Sequence, residues 1–280
     1  MTQNINPLQR YFRQPAIYLR LPSDGRFWKD GALEMPQNRE LPVYPMTAVD
    51  EITYRTPDAL FSGQAVIDVI QSCIPAIKNA WSIPTVDLTA VFVAIRIASY
   101  GHNIDVGVTC PACQNTDDYS LDLRSVIDQL KCPDYNQKVN YGDLEIVFRS
   151  MDYEQQNRIN VQQFENQRMI NLIPESDLED QEKLNQMAQV MKNITRLTVE
   201  ALKYSVASIR TPDAIVSEPE FIDEFLNNCD RQVFDQIRDT AVKLRQETEI
   251  RPLQITCQGC SHQYEQQINL DTASFFGPAS

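Results

Sequence analysis

The chain is poor in the groups on which most enzyme chemistry rests. Its 280 residues hold two histidines, His102 and His262, which leaves little material for acid–base catalysis near neutral pH. Glycines number eight, and none forms a G-x-x-x-x-G-K-[ST] or G-x-G-x-x-G phosphate loop. The H-E-x-x-H metalloprotease motif and the G-x-S-x-G nucleophile elbow are also missing. Positive charge is scarce: 25 basic residues against 38 acidic ones give a net charge of −13. A protein whose main task is gripping nucleic acid or an anionic membrane needs a basic face, so neither partner is expected. Long apolar runs are lacking too. The most apolar stretch, Leu88 to Ser99, is interrupted by Arg96 and falls well short of the roughly 20 residues a spanning helix needs. Met1 to Asn6 shows neither a basic nor an apolar leader region, so no secretory signal is expected.

What is present suits a globular chain. Hydrophobic residues make up 42% and charged residues 22%, enough for one large domain or two ordinary ones. Acidity is uneven. Residues 151–250 carry 11 basic and 19 acidic groups, whereas residues 1–56 carry 7 and 6. Six of the sixteen prolines fall within residues 1–48, a density that opposes helices and central strands. The same stretch holds Tyr11, Phe12, Ile17, Tyr18, Leu19, Phe27, Trp28 and Tyr44, too apolar for a solvated linker. It reads as an extended arm that packs either on its own domain or on a neighbouring subunit.

Periodicity sets out the rest. Thr56-Pro57-Asp58 is a helix start, with Leu60, Val66, Ile67, Ile70 and Ile74 as the apolar face. Thr85 opens a second helix, apolar on most sides through Ile97 and ended by Gly101, which is the expected centre of the core. The period then becomes two. Ile104, Val106 and Val108 alternate, as do Tyr119, Leu121 and Leu123, and Leu144, Ile146 and Phe148 after a turn at Gly142-Asp143. A short helix is expected from Ser125 to Leu130. Four helices are expected over 151–248, at about 152–171 and 177–209, from a Ser217…Glu220 capping box, and at about 230–247. In the second of these, Leu184, Met187, Met191, Ile194 and Thr198 form a Met-bearing stripe, either a bundle face or a seam for a partner.

The chemical signal is a repeat. Val108-Thr109-Cys110-Pro111-Ala112-Cys113 matches Ile255-Thr256-Cys257-Gln258-Gly259-Cys260. Leu121 and Leu123 follow the first copy as Ile268 and Leu270 follow the second. Each copy reads as strand, knuckle, strand, and two knuckles supply the four thiolates of a tetrahedral zinc site. Cys110, Cys113, Cys257 and Cys260 are therefore the expected ligands of one structural Zn2+ per chain, with no open position for catalysis. His262 and Cys132 are alternative ligands. The rival chemistry, a redox dithiol, normally places one C-x-x-C at a helix N-terminus. Cys73 and Cys229 lie in helices and read as packed thiols. Asp117-Asp118 reads as a solvated turn at the tip of a knuckle hairpin.

Two longer stretches carry a resemblance. Leu41-Pro42-Val43-Tyr44-Pro45-Met46-Thr47 followed by Thr56-Pro57-Asp58-Ala59-Leu60, and Ala94-Ile95-Arg96-Ile97-Ala98-Ser99-Tyr100-Gly101 followed by the first C-x-x-C, resemble the baseplate hub assembly proteins of T-even-type contractile-tailed phages. The similarity runs through most of residues 7–150 and returns at the second C-x-x-C. It implies a non-enzymatic role in building the baseplate hub, as chaperone or structural component. The implied partners are hub and tail tape-measure proteins, in the host bacterial cytoplasm during assembly or in the virion tail baseplate. Oligomeric state is left open. The competing class is a zinc-ribbon nucleic-acid-binding or transcription accessory protein, which the scarcity of basic groups near the knuckles (Arg124, Lys131, Arg251) disfavours.

The expected architecture is α+β and mostly helical, with small β-hairpin zinc knuckles from mid-chain and the C-terminus joined as a four-cysteine zinc-ribbon-like clasp. The expected domains are the arm at 1–48, a helical core with the first knuckle and strands at 49–150, an acidic helical insertion at 151–250, and the second knuckle with the tail at 251–280.

Overall fold

The computed structural model describes residues 6–54 and 63–267. Along the chain come β1 (Ile17–Leu19), β2 (Leu41–Val43), α1 (Ala48–Tyr54), α2 (Gln64–Cys73), α3 (Thr85–Tyr100), β3 (Asn103–Thr109), β4 (Thr116–Asp122) and α4 (Leu123–Gln129). Then follow β5 (Lys138–Tyr141), β6 (Leu144–Phe148), α5 (Tyr153–Glu175), α6 (Asp180–Ser205), β7 (Val206–Arg210), β8 (Ile215–Val216), α7 (Pro219–Asn228), α8 (Arg231–Gln246), β9 (Leu253–Thr256) and β10 (Gln263–Gln266). The structure is mixed, helix with small antiparallel sheets. It divides into two compact units, the first made of Met1–Ala80, Asp87–Lys131 and Glu249–Ser280, the second of Trp81–Val86 and Cys132–Thr248.

The first unit is built around α3. Val91, Val93, Ala94 and Ile95 on this helix are fully buried, as expected of a helix with apolar residues on most sides. Gly101 ends it at φ 87°, a left-handed value that costs glycine nothing. The proline-rich segment before it folds onto this unit. β1 and β2 pair antiparallel, Tyr18 opposite Pro42. Proline is tolerated there because both strands of a two-stranded sheet are edges. Leu19, Leu21, Leu41 and Val43 are buried.

Polar contacts tie the segment down. Arg13 donates to the carbonyls of Pro45 (2.6 Å) and Ser72 (2.7 Å) and pairs with Asp50 at 3.3 Å. The buried Asp87 carboxylate accepts from Ser23 N (2.8 Å), Ser23 Oγ (2.5 Å) and Trp28 Nε1 (2.8 Å). Burial pushes the Asp87 carboxyl above its usual range, and the Ser23 and Trp28 donors pull it back. Leu8, Tyr11, Phe12 and Tyr18 remain exposed. The expected helix start at Thr56-Pro57-Asp58, with Leu60, lies outside the described residues. α2 begins at Gln64 and buries Val66, Ile67 and Ile70.

In the second unit the strands are ordered β5-β6-β7-β8, all antiparallel. α5 and α6 form a long hairpin. Asp152 caps α5 by accepting from Gln155 N, while the Gln155 side chain returns the bond to Asp152 N. One seam of α5 buries Ile159, Asn166 and Ile173 at steps of seven, and α6 buries Val190 and Leu197 at the same step, as in a coiled coil. α7 buries Ile222 and Leu226, and α8 buries Val233, Ile237 and Leu244.

Several expectations are corrected. The section 151–248 is not all helix. The helix expected to reach 209 stops at Ser205, and Val206–Arg210 pairs with β6 as a strand. Its β-branched Val206 and Ile209 are buried there, so sheet pairing outweighs continuation of the helix. α5 runs on to Glu175 with Pro174 in its last turn. The Ser217…Glu220 capping box does not form. Pro219 is the first helical residue after Glu218, and its fixed φ sets the start. Leu123 opens α4 instead of closing a strand, because the Asp122 side chain accepts from Arg124 N and caps the helix. Asp117 and Asp118 stand within β4, not in a turn.

Candidate metal centre

Both C-x-x-C motifs sit in the turns of β-hairpins in the first unit. β3 pairs with β4 up to Thr109 opposite Thr116, and β9 pairs with β10 up to Thr256 opposite Gln263. Each turn is six residues long. In the first, Cys110 N donates to Asn115 O (2.9 Å) and Gln114 N to Cys110 O (2.9 Å). In the second, Cys257 N donates to His262 O (2.9 Å) and Ser261 N to Cys257 O (2.9 Å). The residue after each second cysteine is left-handed, Gln114 at φ 60° and Ser261 at φ 59°. For a residue with a Cβ this conformation costs about 1–2 kcal/mol. That both turns accept it at the same position marks two copies of one device. The equivalent strand residues Val108 and Ile255 are buried beneath them.

The turns bring four sulfurs together. Cys110, Cys113, Cys257 and Cys260 offer Sγ atoms that all lie within 4.8 Å of one another. Pairing runs across the hairpins: Cys110 Sγ is 3.7 Å from Cys260 Sγ, and Cys113 Sγ is 3.6 Å from Cys257 Sγ. These separations are too long for disulfides, whose sulfurs sit about 2.05 Å apart. They suit a tetrahedron around a cation with metal–sulfur bonds of about 2.3 Å, whose edges are about 3.8 Å. The first cysteine of each pair is buried and the second exposed.

Without an ion, the electrostatics of the second pair are split. The Cys260 N–H directed at Cys257, joined by that of Gly259 and by the neighbouring thiols, draws the Cys257 thiol down to about 7 against the effect of burial. Cys260 goes up to about 12: the His262 N–H lowers it, but Cys113, burial, Cys257 and Cys110 together outweigh that. Four adjacent thiolates need a cation to coexist, and a thiophilic dication supplies it. With all four positions filled by sulfur, the metal would hold structure and leave no site for a substrate.

The remaining candidates fall elsewhere. His262 lends its backbone carbonyl to the second turn, and its ring stacks on Tyr264 with centroids 6.2 Å apart. It is not among the clustered ligand atoms. Cys132 belongs to the second unit and is not a member either. Cys73 is buried, and burial above all, with Asp50, raises its thiol to about 12. Burial also raises Cys229. Neither is an activated nucleophile. The paired left-handed positions were missed by sequence reasoning. The signal that could have found them is the equal spacing from Cys to the next strand in both copies. Ile268 and Leu270, the expected outer residues of the second copy, lie outside the described residues.

Fold and site together define a mixed α and β protein whose distinguishing chemistry is a cluster of four thiols, a site compatible with a metal ion. The chain belongs to the T4 bacteriophage base plate protein family, whose model matches residues 33–277, a span that includes both cysteine pairs. No curated protein and no solved structure matches it.

Proposed function

We propose that this chain is a non-enzymatic protein of the phage baseplate that acts in building the baseplate hub, as an assembly factor or structural component, by binding hub or tape-measure proteins. The observation that carries this reading is the baseplate family match over residues 33–277. The composition is in keeping with it: two histidines, no catalytic motif and a net charge of −13. The work takes place in the host cytoplasm during assembly, and in the virion tail where the chain is retained.

Within this reading the four cysteines hold one structural Zn2+. The ion draws the β9–β10 hairpin to the β3–β4 hairpin across 143 intervening residues. Closure entropy rises only with the logarithm of that length. An apparent binding energy of about 10–16 kcal/mol for structural zinc readily offsets it.

The test is affinity capture of the tagged chain from infected cells, with mass spectrometry of what co-purifies. Enrichment of hub, baseplate or tape-measure proteins is the expected result. Presence in tail precursors but not in mature virions identifies an assembly factor, and presence in both a structural part. Enrichment of polymerase subunits or nucleic acid instead would sink the reading.

A further inference from the structure

The stripe on α6 is not a bundle face along its whole length. Asp180, Leu184, Met187, Met191, Ile194 and Thr198 recur at steps of four and three, so they share one side of the helix. Burial at the C-terminal end of α6 falls beside the stripe, at Val199 and Leu202, with Lys203 pairing with Asp223 of α7 at 3.6 Å, while Thr198 of the stripe is exposed. The N-terminal part is open. Leu184 is 65% exposed, Met191 47% and Ile194 37%, while Met187 between them is half-buried. The seam that faces α5 is a different one, through Val190 and Leu197, and it is already closed.

The charge beside this open stripe is one-sided. The turn between α5 and α6 and the ends it joins carry Glu175, Asp177, Glu179, Asp180 and Glu182, with no basic residue between Arg168 and Lys183. All five acids are exposed, and none is ion-paired among the described residues. Glu175 also stands at the C-terminus of α5, where the helix dipole disfavours it. An apolar strip about 15 Å long, Leu184 to Ile194 at 1.5 Å per residue, thus ends in five carboxylates with no ion pair among the described residues, beside the single cation Lys183, whose Nζ donates to Pro174 O at 3.2 Å.

We infer that the N-terminal half of α6 is the docking face for a basic amphipathic helix of another protein. The helix would set its apolar side on Leu184, Met187, Met191 and Ile194 and its Lys or Arg residues against the acidic turn. Methionines suit such a face because their flexible thioethers adapt to the side chains they meet. A second copy of this chain is disfavoured as occupant. It carries the same −13 charge and the same five acids, so carboxylates would accumulate instead of being neutralised. The inference deepens the proposed baseplate role and rests on it for the partner being a phage protein.

The test uses the purified full-length chain with zinc supplied. The probe is a fluorescein-labelled 18-residue helical peptide of leucine and lysine, with a leucine–glutamate peptide of the same pattern as control. The lysine peptide should bind at least tenfold more tightly than the glutamate one. The Leu184→Ser/Met191→Ser variant should weaken it a further tenfold, although every acid is kept. Changing all five acids to their amides should remove most of the salt dependence of binding. These positions are exposed, so the variants should keep the wild-type circular dichroism and melting midpoint.

Equal binding of both peptides, or no effect of the serine pair, overturns the inference. So does light scattering that shows a dimer of the wild type and a monomer of the serine variant, since the stripe would then face a second copy. The two readings fail separately. Capture of baseplate proteins with unchanged recovery by the serine variant leaves the assembly role and removes the docking face. Peptide binding without capture of any baseplate protein does the reverse.

Discussion

Arg96 lies in the middle of the most apolar helix and is 2% exposed. Its Nε and Nη1 have no hydrogen-bond partner among the described residues. The guanidinium stacks 4.4 Å from the Tyr100 ring centroid, and burial lowers its pKa. A cation–π contact contributes about 0.5–2 kcal/mol, whereas buried donors left unsatisfied cost about 1–3 kcal/mol, more when charged. Arg96→Met keeps the length and removes the charge. It is expected to leave the melting midpoint of the isolated protein unchanged or higher, as read by calorimetry. Ser23 makes the opposite case. Its hydroxyl donates to Asp87 at 2.5 Å, and a hydrogen bond to a charged group contributes about 1.5–3 kcal/mol. Ser23→Ala should lower stability by that amount in urea titrations. The hydroxyl holds the Asp87 value down, so losing it raises that value further. The deficit should therefore be smallest below the ordinary carboxylate value of 3.8 and should grow as pH rises through the raised folded value.

At the scale of elements, the α5–α6 hairpin is held by a seam with a polar break. Asn166 occupies the position between Ile159 and Ile173 and is 9% exposed. Gln162 Oε1, one turn away, is buried without a partner among the described residues. A buried Asn in such a seam pins register at a cost in stability. Asn166→Leu should raise the thermal midpoint of the helical unit, and a drop instead would mean that register slips without it. Part of this element was readable from the sequence. The three- and four-residue steps locate α5 and α6, but nothing in them says which stripe meets a neighbour. Leu184 and Leu197 look equivalent in the pattern. One is exposed and the other buried because the second faces α5. The strands β7 and β8 were illegible for a related reason. Val206 to Arg210 has no turn before it, and most of its pairing is with β6, distant in the chain, with the short β8 adding only Ile209 and Arg210.

At the scale of the whole molecule, the cysteine cluster closes the first unit by joining its last segment, which begins at Glu249, to the segment that ends at Lys131. With the proposed zinc in the cluster, elemental analysis should find about one zinc per chain, and a strong chelator or Cys113→Ser should reduce it to near zero. A structural zinc of this kind contributes several kcal/mol, so the first unit should melt about 10 °C or more lower. The transition of the second unit should hardly move, and protease should cut the chain near Glu249 to Arg251. A chain indifferent to chelation would show that the hairpins pack without an ion.

The sequence by itself determined the local pieces: the repeated C-x-x-C turns, the apolar α3 with its stop at Gly101, the alternating β3, β4 and β6, and the acidic excess of residues 151–250. These depend on contacts within a few residues, and periodicity and turn chemistry record such contacts directly. Tertiary structure alone decided which thiols face each other, Cys110 with Cys260 and Cys113 with Cys257. It alone also seated the proline-rich segment through Arg13 and Asp87, and left Leu184 and Met191 uncovered. Each of these depends on partners dozens of residues away, whose approach is set by the packing of whole elements and leaves no periodic trace in the chain.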